Sequence, residues 1–99
     1  MLWRHGDVLI ARVAALPHGA ERRATPVLVR GEVTGHSHRL AEPGTAELWE
    51  RHGHIFIQVV AEAATVIHEE HRPITLPRGI YEVWQQREYT PAAIRTIAD

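Results

Sequence analysis

Histidine and glutamate side chains that could bind a metal occur in two short clusters of this chain. His36 and His38 follow an apolar, β-branched run, and His68-Glu69-Glu70-His71 ends a second apolar run about thirty residues later. Imidazole is the commonest protein ligand for zinc, iron, nickel and copper. The two clusters therefore predict one metal site, with His36, His38, His68 and His71 as its ligands.

The spacing of these histidines restricts how they can converge. Residues i and i+2 of a strand point to the same face, so His36 and His38 can both aim at one metal. His68 and His71 are three apart and would point to opposite faces of one regular strand. A bulge or turn between them, or a helical turn, is needed to bring both rings to the same point.

The carboxylates beside the histidines indicate what such a metal would do. Three imidazoles and an open position would acidify a bound water, and Glu69 or Glu70 would orient or deprotonate it as catalytic residues. This predicts a metal-dependent hydrolase or hydratase acting on a small molecule. Zinc is the first expectation for the metal, and iron, manganese, nickel and copper also fit the ligand type.

Two other interpretations compete with the enzyme. In the first, the histidines are ordinary polar residues on a solvated sheet face. In the second, the chain is a non-catalytic, metal-stabilised or pH-responsive module that assembles with itself or a partner. Of the eight histidines, all but two fall in closely spaced pairs, which favours a site. The pair His52 and His54 flanks Gly53 in an expected tight turn, which would splay the two rings.

The elements that must position the clusters are strands. Apolar and β-branched runs bounded by turn residues predict strands over 8–13, 27–33, 46–51, 55–60, 65–68 and 80–89, with an extended edge segment at 73–77. Residues 16–26 predict a loop, 61–64 a turn or bulge, and Arg78-Gly79 a turn. Thr90-Pro91 predicts the start of a short C-terminal helix. The expected fold is all-β, a small β-sandwich or barrel forming a single domain over residues 1–99.

Composition narrows the class of protein further. No apolar run approaches the roughly 20 residues that span a bilayer, no signal-peptide pattern is visible, and no cysteine is present, so we expect a cytoplasmic protein. All 11 basic residues are scattered arginines, which argues against nucleic-acid binding. Trp3, Trp49 and Trp84 are a large aromatic load for a small β domain, and a homo-oligomer is expected.

Two resemblances follow from these motifs. The spacing of His36, His38 and Glu42 resembles the first metal motif of the cupins, which implies that these three residues are ligands on a β-barrel. Pro77-Arg78-Gly79 matches part of the second cupin motif, but no histidine follows it. The chain as a whole is similar to a set of small uncharacterised bacterial and phage-encoded proteins. The shared pattern is Gly-Glu-Val-Thr-Gly-His-x-His, then His-Glu-Glu-His, then Gln-Arg-Glu-Tyr.

Overall fold

The computed structural model describes residues 2–30 and 35–86, and almost all of them lie in strands. The strands are β1 Leu2–His5, β2 Val8–Val13, β3 Glu21–Arg23, β4 Val27–Arg30, β5 Ser37–Leu40, β6 Ala46–Arg51, β7 His54–His68 and β8 His71–Gln85. A single turn of 3₁₀ helix, Pro43–Thr45, precedes β6. The all-β class predicted from the sequence is confirmed. In the described part of the chain, no helix is long and apolar enough to cross a membrane.

The strands form one antiparallel sheet that curls into a half-barrel. Its main path runs β1-β2-β8-β7-β5-β4, and β6 pairs with both β7 and β3. The two longest strands, β7 and β8, have 15 residues each and lie next to one another in the middle of this path. One half of β7 pairs with β6 and the other end pairs with β5, while only the second half of β8 pairs with β2. The β5–β7 pairing lies next to the β7–β8 turn, so β5 meets the end of β7 and the start of β8 there.

Two-residue turns connect three of the hairpins. His52-Gly53 joins β6 to β7, and both residues have positive φ, 51° and 81°, as the hairpin turn that matches strand twist requires. The predicted turn at this position is confirmed. Gly6-Asp7 joins β1 to β2, and Glu69-Glu70 joins β7 to β8. These two short turns fix the register of the strand ends that carry histidines.

Several boundaries differ from those predicted. The loop 16–26 contains β3, which pairs with β6. Segments 55–60 and 65–68 are one strand, because 61–64 is a bulged continuation with a register shift between Val59 and Ala63. The predicted turn at Arg78-Gly79 was wrong, since β8 runs through it and Gly79 pairs with Val59. The ends of the predicted strands 27–33 and 80–89, and the helix from Thr90, lie outside the described residues.

The core is built from alternate residues of the strands, as expected where one face of a sheet is buried. Tyr81 is fully buried at its centre, donates its hydroxyl proton to Pro77 O, and receives the edge of Trp3 at a ring-centroid distance of 5.4 Å. Its other fully or nearly fully buried members are Val8, Ile10, Leu28, Leu40, Ala46, Leu48, Ile57, Val59, Ala64, Val66, Leu76 and Val83. Pro73 and Pro77 lie in the half of β8 that pairs only with β7 among the described strands, the edge position that proline tolerates.

Candidate metal centre

The β7–β8 hairpin brings His68 and His71 together. They are the last and first residues of the two strands and face one another directly across the Glu69-Glu70 turn. Cross-strand partners lie on the same face of a sheet, so the turn resolves the conflict posed by their three-residue spacing. Their ring centroids are 4.6 Å apart.

Strand β5 adds the other two predicted ligands. Arg39 of β5 pairs with Ile67 of β7. The preceding residue of β5, His38, therefore lies beside the following residue of β7, His68, and their ring centroids are 4.4 Å apart. His36 precedes β5 and lies 5.7 Å from His68 by the same measure. The structure therefore brings together all four histidines that the sequence analysis proposed as ligands.

A fifth histidine, His5, lies in the same cluster and was missed. It ends β1, is 2% exposed, and places its Nδ1 2.9 Å from Nδ1 of His38. Its Nε2 lies 2.9 Å from the backbone oxygen of Arg72. Gly6-Asp7, directly before the predicted strand 8–13, are typical turn residues, and this signal could have placed His5 at the end of a strand, though not in this cluster. A two-residue turn requires a partner strand on its N-terminal side, and His5 is the residue that must end it.

The most compact set of ligand atoms comes from His36, His68 and Glu69, whose contributing atoms all lie within 4.8 Å of one another. His36 Nδ1 is buried and makes no hydrogen bond to the described residues, and Glu70 Oε1 is 3.8 Å away. Bonds of about 2.1 Å to a tetrahedral zinc would separate two ligand atoms by about 3.4 Å. Small side-chain movements would therefore close these three residues around a cation.

Glu69 is held as an ionised carboxylate. Ser37 N donates to Oε1 at 3.0 Å, and Arg39 forms an ion pair with Oε2 at 2.8 Å. These contacts, the backbone N–H of Ser37 first, lower the pKa of Glu69 to about 2. A carboxylate with so low a pKa is a weak base, and carboxylate ligands of metals are commonly oriented by such hydrogen bonds. The geometry suits Glu69 better to the role of a ligand than to that of a proton acceptor.

Glu70 is exposed and contacts the site in two ways. Its backbone N donates to Nδ1 of His68 at 3.0 Å, and its carboxylate faces His36. A metal on either nitrogen of His68 would break this hydrogen bond. A metal on Nδ1 would take its lone pair, and a metal on Nε2 would require the ring proton to be on Nδ1. Losing such a hydrogen bond costs about 1 kcal/mol, which is small beside the free energy of binding a structural zinc.

The cluster favours neutral imidazoles. Burial is the largest cause that lowers the pKa of His5, His38 and His68, and the charges of neighbouring histidines lower each of them further. The pKa of His38 falls to about 4. Neutral rings keep a nitrogen lone pair free, and metals bind histidine in this state.

Other predicted positions lie away from this cluster. Glu42, a ligand in the cupin resemblance, is exposed beside the 3₁₀ turn and does not belong to the compact ligand set. His54 is exposed and contacts Glu82 Oε2 at 3.2 Å. Of the Gln-Arg-Glu-Tyr motif, Gln86 accepts a hydrogen bond from Arg4 at 2.7 Å, and the other three residues lie outside the described part.

Comparison with known families matches residues 4–86 to the model of a domain of unknown function, DUF8820. The chain belongs to this family. The match spans most of the chain and includes all five clustered histidines, Asp7, Glu69 and Glu70. It confirms the predicted membership of a small uncharacterised family. No curated protein and no solved structure matched the chain.

Proposed function

We propose that this single-domain protein binds a divalent transition metal, zinc first among the candidates, in its histidine cluster. His36, His68 and Glu69 are the proposed ligands, with His38 and His71 beside them. The observation that carries the proposal is the convergence of one ligand atom from each of these three residues within 4.8 Å of one another. The buried Nδ1 of His36, which has no hydrogen bond to the described residues, supports it. Two histidines and a glutamate with an open fourth position also form a known type of catalytic zinc site.

The chemistry we propose for this site is activation of water for hydrolysis or hydration of a small molecule. A bound metal would supply a water acidified to a pKa near 7. Arg39 and Ser37 would hold the Glu69 carboxylate in orientation. The exposed Glu70 carboxylate, 3.8 Å from His36 Nδ1, is placed to accept a proton at the rim of the site. The absence of cysteine fits the cytoplasm, where we place the protein.

A non-catalytic, metal-stabilised or pH-responsive assembly module is the alternative, and one observation favours it. The clustered histidines come from the ends of β1, β7 and β8 and from β5 and the residue before it. A metal bound there would cross-link these strand ends and stabilise the sheet without any catalysis. Two large apolar side chains, Leu2 and Val60, are 61% and 45% exposed and would suit a contact between two copies.

Metal content tests the proposal directly. Protein purified without a histidine tag should hold close to one transition-metal ion per chain, or a simple fraction if subunits share a site. The double variant His36→Ala/His68→Ala should lose most of it, and His54→Ala, which removes an exposed histidine from a hairpin turn, should not. Elemental analysis measures both, and unchanged metal in the double variant would refute the site.

Activity and mass then separate the enzyme from the module. An enzyme should hydrolyse activated esters or hydrate carbon dioxide, lose that activity with a chelator, and lose it in Glu70→Gln at unchanged metal content. A module should show no such activity, and sedimentation should show its mass shift toward the monomer when the metal is removed. A monomer in both states would contradict the assembly interpretation.

A further inference from the structure

His5, His38 and Asp7 form a chain of contacts that leads from the backbone of β8 to the edge of the site. His5 Nε2 lies 2.9 Å from Arg72 O, the two Nδ1 atoms of His5 and His38 are 2.9 Å apart, and His38 Nε2 lies 3.6 Å from Asp7 Oδ1. Both imidazoles are 2% exposed, whereas Asp7 is about half exposed. The proton positions along this chain follow from what each atom can donate.

A carbonyl oxygen can only accept, so the ring proton of His5 must be on Nε2. At pH 7.5, above the ordinary imidazole pKa of about 6.5, His5 has one ring proton, and its Nδ1 then has a lone pair and no proton. The contact between the two Nδ1 atoms therefore needs its proton on His38. A His38 ring with one proton, placed on Nδ1 by this contact, has no proton on Nε2. With one proton on each ring, a single arrangement satisfies the contact with Arg72 O and the contact between the two imidazoles.

This arrangement leaves two acceptors face to face. In this arrangement the Nε2 of His38, which has no proton, lies 3.6 Å from a carboxylate oxygen of Asp7. Two lone pairs repel one another, and either a proton on His38 Nε2 or a metal ion between the two atoms removes the repulsion. Their separation is close to the roughly 3.4 Å between two ligand atoms of a tetrahedral zinc with bonds near 2.1 Å.

We infer that His38 Nε2 and the Asp7 carboxylate are a metal-ligand pair, and that His5 is the positioning residue that holds His38 in the tautomer a metal needs. A histidine ligand commonly donates its other ring N–H to a carbonyl or carboxylate, which fixes its tautomer and orientation. Here a second imidazole takes that role and is itself fixed by Arg72 O. The inference rests on the proposed metal function and adds to it Asp7 and His5, which the sequence analysis had not assigned to the site.

The ring nitrogens of His38 can be observed directly. In ¹⁵N-labelled, metal-free protein at pH 7.5, a long-range ¹H–¹⁵N correlation spectrum should show His38 protonated at Nδ1 and bare at Nε2. His38→Gln identifies the signals. Zinc should then shift the Nε2 resonance. His5→Leu should give a mixture of His38 tautomers, and its zinc affinity should fall about 10- to 100-fold, as for other residues that orient a ligand.

Asp7→Asn should weaken zinc binding at least 10-fold with the fold intact, because Asp7 is an exposed turn residue. Glu62→Gln, which removes an exposed carboxylate from the middle of β7, is the matched control and should have no effect. A proton on His38 Nε2 in the wild-type protein would overturn the inference, as would equal affinity in Asp7→Asn and Glu62→Gln. If zinc shifts His36 and His68 but not His38, the proposed metal site stands and this inference fails. If zinc shifts no histidine, the metal function itself fails.

Discussion

Acidification of the metal-free protein from pH 6.5 toward pH 4 should lower the free energy of unfolding. The pKa of His38 is about 4 in the folded protein and near 6.5 in the unfolded chain, because burial disfavours the imidazolium. Between these values the unfolded state binds a proton that the folded state does not. The contribution of neutral His38 to the free energy of unfolding is therefore complete above pH 6.5 and is lost as the pH falls from 6.5 toward 4.

The size of this loss follows from the two pKa values. At pH 4.5, a fall from about 6.5 to about 4 corresponds to roughly 2.5 kcal/mol of lost stability from His38 alone. His5 and His68 act in the same direction, since their pKa values are also lowered. Glu69 does not interfere, because its pKa is lowered from 4.5 to about 2 and its contribution disappears only below pH 4.5.

Urea unfolding followed by tryptophan fluorescence, in the presence of a chelator, measures this dependence between pH 7.5 and 4.5. The free energy of unfolding should fall by about 2.5 kcal/mol or more in the wild-type protein. His38→Gln should be less stable at pH 7.5 and should show a shallower fall. His18→Gln, which changes an exposed loop histidine, should keep the wild-type slope. A flat wild-type curve, or an equal slope in His38→Gln, would refute the assignment of a buried neutral imidazole.

Two backbone and core features give further predictions. Gly6→Ala should destabilise the protein by about 1–2 kcal/mol because Gly6 has φ +65°, and it should also weaken zinc binding, since the new Cβ would lie 2.5 Å from His71 Nε2. Gly53→Ala is the control, because Gly53 has φ +81° and no atom lies within 4 Å of the added Cβ, and it should lose stability but keep its zinc affinity. Equal zinc affinities of the Gly6→Ala and Gly53→Ala proteins would contradict a role for His71. Tyr81→Phe should cost about 1 kcal/mol in urea unfolding by leaving Pro77 O without its donor, and no change would argue against that hydrogen bond.

Local patterns predicted the fold class and four of the five clustered histidines. Strand composition and the Gly53 turn indicate an antiparallel β protein, and the short Glu69-Glu70 connection is the turn that His68 and His71 required. The turn predicted at Arg78-Gly79 failed for a tertiary reason. Gly79 lies under the guanidinium of Arg12, and its Cβ would be 2.8 Å from Arg12 Nη2, so this glycine serves close approach within a continuous strand.

Sequence reasoning could not place His5 and Asp7 in the site. Their contacts with His38 and Arg72 join residues 31 to 67 positions apart, and they depend on β2 pairing with β8 and β5 pairing with β7. Neither pairing follows from any local pattern. The closely spaced motifs also directed attention away from His5, because an isolated histidine carries no spacing signal of its own.

The two buried imidazoles also bear on why this end of the sheet is polar. His5 and His38 satisfy one another and Arg72 O, but each occupies a buried position where an apolar side chain would have no polar group to satisfy. Replacing both partners of a buried hydrogen bond by apolar groups is often neutral or stabilising. Stability of the metal-free sheet therefore gives little reason for this pair. The inferred role of His38 as a metal ligand would account for it, since such a ligand needs one ring nitrogen without a proton and the other held by a hydrogen-bond partner.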